Sequence, residues 1–177
     1  EHRSVLAPLE QLRDLFGYEL VVLPVNAAGY VEPSVLAKAL DERTILVSLM
    51  AVNNETGTIF PVKPLADCVH KYPKAFFHVD CTQAVGKAPI PYADCDLFSF
   101  SGHKFGAPKG TGALLYKKNI QFVSLLSGGE QEKGYRAGTV NVAGNASLAL
   151  AASFALGNRD AHLALVTPLH DRLWSYL

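Results

Sequence analysis

The stretch Leu97-Phe98-Ser99-Phe100-Ser101-Gly102-His103-Lys104 is an apolar run that breaks abruptly into hydroxyl, glycine, imidazole and amine. A second run, Ala75-Phe76-Phe77-His78-Val79, ends in the same manner in Asp80-Cys81-Thr82-Gln83. Both runs are short and β-prone, so both predict buried strands that deliver polar residues at their carboxyl ends. In open α/β sheets, ligands bind at that edge.

A lysine beyond a buried strand is ordinarily a surface lysine. Lys104 differs because a carboxylate, an amide, a hydroxyl and an imidazole are poised to face the same crevice. A ligand satisfying this set carries an aldehyde for the amine, a basic ring nitrogen for Asp80, and a phosphate for Ser101 and His103. Pyridoxal 5'-phosphate has those three handles, and its chemistry needs a Schiff-base lysine and an acidic partner for the pyridine nitrogen.

The flanking sequence predicts an alternation of strands and helices. Val5, Leu6, Leu9, Leu12 and Phe16 recur at helical spacing, with Ser4 as a candidate N-cap and Gly17 as the stop. Tyr18 to Val25 reads as a strand, Asn26 to Gly29 as a turn, Pro33 to Leu40 as a short helix, and Thr44 to Met50 as a buried strand that delivers Asn53 and Asn54. Pro64 is placed at the start of a helix whose Leu65, Val69 and Tyr72 share a face. After Lys104, Gly106 to Gly112 reads as a tight connection and Ala113 to Tyr116 as a returning strand. Ser127 to Arg136 is a glycine-rich loop, Val140 to Leu156 a helix closed by Gly157, and the tail from Leu163 a further helix. This order predicts an α/β fold, a three-layer, mostly parallel sheet with helices on both faces.

Composition narrows the class. With 177 residues, 49% of them hydrophobic and 18% charged, the chain can bury one sizeable core. Sixteen basic and sixteen acidic residues balance, so no net field draws the chain to nucleic acid or to an anionic membrane. Three cysteines cannot all pair with one another, which points to a reducing compartment, and no run approaches a membrane span. The expectation is a soluble, cytoplasmic protein. Because the chain starts at Glu1 rather than Met and stops inside a helix-like stretch, a piece of a longer protein is expected. A zinc site at Cys68, His70, His78 and Cys81 is disfavoured, since residues two apart on a helix point to different faces. A P-loop is excluded because Gly86-Lys87 is followed by Ala88.

Several motifs together carry a resemblance. His78-Val79-Asp80-Cys81-Thr82-Gln83 and Ser101-Gly102-His103-Lys104, preceded by Asn53-Asn54-Glu55-Thr56-Gly57 and followed by Arg136-Ala137-Gly138-Thr139, resemble the NifS/IscS-type cysteine desulfurases of the class V aminotransferase group. The similarity runs from Glu1 to about Gly157. It implies the large domain of an aspartate aminotransferase-like, pyridoxal phosphate-dependent transferase over residues 1–157, with 158–177 leading towards a small C-terminal domain.

By this resemblance Lys104 is the Schiff-base lysine and general base, and Asp80 pairs with the pyridine nitrogen. Gln83 and Asn54 reach the phenolic oxygen side, while Ser101 and His103 contact the phosphate. His2 stacks on the ring and shuttles protons, and Thr139 reaches the phosphate of a neighbouring subunit. Plainer roles stand beside these: an N-cap for Asp80, a turn residue for Asn54, a frayed terminus for His2, a helix N-cap for Thr139. Gly102 is expected where a Cβ would obstruct the phosphate or the turn. The implied parent reaction converts L-cysteine to L-alanine with sulfur passed to an enzyme cysteine. A homodimer, a sulfur-acceptor protein and iron–sulfur cluster assembly follow from the same likeness. Selenocysteine lyase, cysteine sulfinate desulfinase and an inert dimerising scaffold are the alternatives. Cys68, Cys81 and Cys95 all precede Lys104, whereas the family's nucleophilic cysteine and carboxylate-binding arginine follow it. On that ground the chain by itself is expected to be inactive.

Overall fold

The structure, a computed structural model, describes residues 1–177. Four strands, β1 (Leu46–Met50), β2 (Phe76–Asp80), β3 (Leu97–Ser101) and β4 (Gly112–Tyr116), lie side by side in chain order. β1, β2 and β3 run parallel, and β4 returns antiparallel to β3 as a hairpin-like pair. Five helices accompany them: α1 (Arg3–Phe16), α2 (Pro33–Ala39), α3 (Val62–Val69), α4 (Val142–Gly157) and α5 (Arg159–Trp174). None is long and apolar enough to cross a membrane.

Strand parity sets the layers. Val47 and Leu49 of β1 and Phe77 and Val79 of β2 join Leu36 of α2 and Leu65 and Val69 of α3 in one buried core. Phe77, Val79, Leu65 and Val69 are wholly excluded from solvent, and burial of each such side chain stabilises by about 1.5–3 kcal/mol. The opposite parity, Leu46, Ser48, His78, Asp80, Ser99 and Ser101, faces a cavity roofed by α1. Helices therefore cover both faces of a mixed, mostly parallel sheet, as expected.

Several local expectations are corrected. Tyr18 to Val25 is extended but pairs with no strand. Leu20, Leu23 and Asn26 turn inward at a spacing of three, which a two-residue strand period cannot use, and Pro24 lacks a donor. The cap of α1 is His2 rather than Ser4: its Nδ1 accepts the Ser4 N–H at 3.1 Å. Gly17 does stop α1, at φ 73°. α3 begins at Val62, two residues before Pro64, whose missing N–H falls among the donors a first turn leaves unpaired. Gly157 belongs to α4, and one residue, Asn158, separates α4 from α5, which begins at Arg159 rather than Leu163.

Candidate functional site

Because β1, β2 and β3 are parallel, their carboxyl ends share one edge. Asn53 and Asn54 follow β1, Asp80 to Gln83 close β2, and Ser101 to Lys104 close β3. Register sharpens this: Met50 lies opposite Asp80, and Asp80 opposite Ser99. The chain start is drawn to the same edge, since the Glu1 side chain accepts the Met50 N–H at 2.7 Å. His2 is thereby held beside the strand ends, its Nδ1 engaged by Ser4 and its Nε2 free to carry the proton. It is a helix cap and not a frayed residue.

Two depressions flank the Asp80–Gln83 segment. The first, of about 270 Å³, is lined by Asp80, Thr82, Ser101, Ser48, His78 and Ser99, with Ser4 and apolar residues of α1 opposite. The second, of about 320 Å³, holds Asn54 and Gln83 together with Asn53 and Lys87. Lys87 Nζ donates to Gln83 Oε1 at 3.1 Å. Burial, and after it the charge of Lys104, pushes the Lys87 amine below its ordinary value. His2, His103, Lys104 and Thr139 line neither depression.

Asp80 is 8% exposed, and its Oδ1 accepts the Thr82 N–H at 2.9 Å. No buried side-chain oxygen lacks a partner, so Oδ2, which makes no bond within the chain, is reachable from the cavity. A cationic ring N–H fits that free oxygen. No helix follows β2, so the Thr82 bond is a turn bond and not the helix N-cap that the plainer role proposed, and it leaves the second oxygen available. Ser101 ends β3, and His103 and Lys104 belong to the single-turn 3-10 segment Gly102–Lys104 that follows it. The open Asp80 oxygen therefore fits the protonated ring nitrogen of pyridoxal phosphate.

Gly102 answers to packing. A Cβ there would sit 2.6 Å from Thr111 Oγ1, 2.7 Å from Leu148 Cδ1 and 2.8 Å from Ala107 Cβ. Close packing against the 106–111 connection and α4 by itself requires a glycine here. Asn53, not Asn54, builds the turn after β1, accepting the Glu55 and Thr56 N–H groups. Asn54 is exposed and donates to Glu55. Thr139 is no helix cap; Asn141 caps α4 by accepting the Gly144 N–H at 2.9 Å. Thr139 is exposed and joins none of the other candidates within this chain.

The cysteines are sequestered. Burial, with Cys95 and Asp80 adding to it, pushes the Cys81 thiol up to about 12, and burial pushes Cys95 up to about 11. Cys68 lies against Pro33 O, whereas His70 turns to Asp96. Ser48, Ser99 and Glu1, and His78 in a role other than metal binding, are additions the structure makes to the expected site. Three of them were visible as lone polar residues at one parity within apolar strands, next to Asp80 and Ser101 on the same face.

The aminotransferase class-V family model matches residues 1–175. This chain belongs to that family. A cysteine desulfurase of Cereibacter sphaeroides is 44% identical over 175 residues, 98% of this chain and 44% of that protein. Cysteine desulfurase IscS of Dictyoglomus turgidum is 42% identical over 97% of this chain and 43% of its own length. Among solved structures, a NifS-like protein superposes with a TM-score of 0.94 at 38% identity, covering 99% of this chain and 48% of that one. SspA in complex with cysteine gives a TM-score of 0.82 at 32% identity, over 86% of this chain and 45% of that one. The chain spans less than half the length of these relatives.

Proposed function

We propose that the intact protein is a pyridoxal phosphate-dependent cysteine desulfurase that releases L-alanine from L-cysteine and leaves the sulfur on a cysteine beyond this chain. The observation that carries the reading is that Asp80 and Ser101 end adjacent parallel strands on one edge of the sheet, with Lys104 three residues after Ser101. Class-V family membership, the relatives named cysteine desulfurase and a structural neighbour holding cysteine support it. In this reading residues 1–157 form the cofactor domain and 158–177 lead towards a further domain. The protein works as a cytoplasmic homodimer with a sulfur-acceptor partner, and Thr139 serves the neighbouring subunit.

When bound, the cofactor supplies an aldehyde for the Lys104 amine and a ring that withdraws electrons from the substrate's α-carbon. Asp80 Oδ2 accepts the ring N–H, and Ser101 and His103 bind the phosphate. Asn54 and Gln83 orient the phenolic side from the neighbouring depression. His2, presented by the start of α1, covers the ring face and offers Nε2–H for proton transfer. Lys104 would remove the substrate's α-proton as general base.

The test is product analysis on the intact protein supplied with pyridoxal phosphate. L-cysteine is expected to yield alanine and protein-bound sulfane sulfur, and Lys104→Ala to abolish both. Selenocysteine and cysteine sulfinate run in parallel would reassign the substrate if either outpaces cysteine. Absence of alanine from all three would overturn the reading.

A further inference from the structure

A polar chain crosses three strands under Asp80, and no step above uses it. His78 Nδ1 lies 2.7 Å from Ser48 Oγ on β1, and Nε2 lies 2.9 Å from Ser99 Oγ on β3. A neutral imidazole presents one donor and one acceptor, and two hydroxyls satisfy either tautomer. Neither serine offers a charge that would compensate an imidazolium.

The surroundings offer little more. α1 lines the opposite wall with Ser4, Val5, Pro8 and Leu9, and β1 and β3 contribute only uncharged side chains. Asp80 is the one charged residue lining the cavity, two positions from His78 on the same face of β2. That spacing puts the two roughly 7 Å apart along the strand. The charged groups beyond are Glu1, held by Met50 at the end of β1, and Arg3 and Glu10, paired with each other on α1. Lys87 lies in the neighbouring depression, bonded to Gln83, and Lys104 does not line the cavity.

We propose that His78 is a positioning residue for the cofactor ring: clamped between Ser48 and Ser99 as an uncharged imidazole, it fixes the floor beneath Asp80. The open carboxylate oxygen of Asp80 is thereby left to the ring N–H and is not neutralised by a neighbouring imidazolium. This role rests on the pyridoxal phosphate reading of the site. Burial pushes the His78 imidazole below its ordinary value, with only Asp80 pulling the other way. A cation formed at His78 would compete with the ring for one carboxylate. Acidification should therefore weaken cofactor binding through His78 itself.

Two measurements on the intact protein test this. In cofactor-free protein, the His78 ring nitrogens, assigned by their loss in His78→Gln, are followed by NMR against pH. They are expected to report a neutral ring at pH 6.5 and to titrate below it; a midpoint at or above 6.5 overturns the proposal. Pyridoxal phosphate affinity is then measured between pH 8 and 5 by absorbance of the bound cofactor. His78→Gln keeps a donor and an acceptor but cannot charge. It is expected to bind within about twofold of wild type at pH 8 and to lack part of the acid-side weakening. His78→Leu strands both serines and is expected to lose about tenfold at every pH. If wild type binds but Gln weakens as steeply with acid, or Leu binds as well as wild type, the His78 role fails and the cofactor reading stands. If wild type itself does not bind, the cofactor reading fails and this role with it.

Discussion

Asp96 offers the sharpest test of how the strand ends are held in place. It lies just ahead of β3, and its side chain is 11% exposed. Oδ2 accepts the Phe77 N–H at 2.8 Å and faces His70 Nε2 at 3.2 Å, while Oδ1 takes Lys117 Nζ at 2.7 Å. One carboxylate thus joins β2, the end of α3 and the residue after β4. Asp96→Ala leaves the Phe77 N–H, in a residue with no exposed surface, without an acceptor, which costs about 1–3 kcal/mol. Lys117 is 44% exposed and recovers water, so its pairing adds about 0.5–1 kcal/mol. The sum is about 3 kcal/mol, or roughly 10 °C in Tm for a chain of this size. Asp96→Asn keeps an acceptor for Phe77 and should cost about 1 kcal/mol. Burial alone would raise the Asp96 carboxyl, but Lys117, the Phe77 N–H and His70 outweigh it and hold it below the usual range. A depressed folded value means stabilisation that is present above the unfolded value near 4 and lost as pH falls through the folded one. Urea unfolding of the three proteins at pH 7 and pH 3 is the assay. Equal losses for Ala and Asn, or a loss from Asn that does not shrink at pH 3, would refute the reasoning.

Two further outcomes follow from packing and burial. Gly102→Ala should cost about 1–3 kcal/mol by overpacking, because Thr111, Leu148 and Ala107 occupy the space. Calorimetry should find that part of the loss is relieved when Leu148→Ala is added, and additive losses would contradict the steric account. Thiol labelling of this chain's cysteines in the native protein should modify Cys68 first, with Cys81 and Cys95 reacting only on unfolding; rapid native labelling of Cys81 would contradict its sequestration.

Much of the edge that matters was legible in the chain. Apolar runs ending in Asp80 and Ser101 predict parallel strands, and parallel strands bring their polar ends together whatever the detailed packing. The strand bounds agree to within one or two residues, because β-prone runs bounded by polar residues leave little freedom. Tyr18 to Val25 has the composition of a strand, yet a strand exists only where a neighbour offers its ladder, and composition is silent on that. The cap of α1 was missed because an imidazole nitrogen took the place a hydroxyl usually fills. The Ser48–His78–Ser99 chain joins residues 30 and 21 positions apart, a relation that appears only once register is known. The division of the candidates between two depressions also belongs to the third dimension.

The account turns on which amine meets the cofactor, and borohydride can fix that bond covalently. The intact protein, loaded with pyridoxal phosphate, reduced, digested and mapped by mass spectrometry, is predicted to carry the reduced adduct on Lys104 and to lose it in Lys104→Ala. An adduct on Lys87 instead, or one spread over surface lysines and unchanged by the substitution, would contradict it.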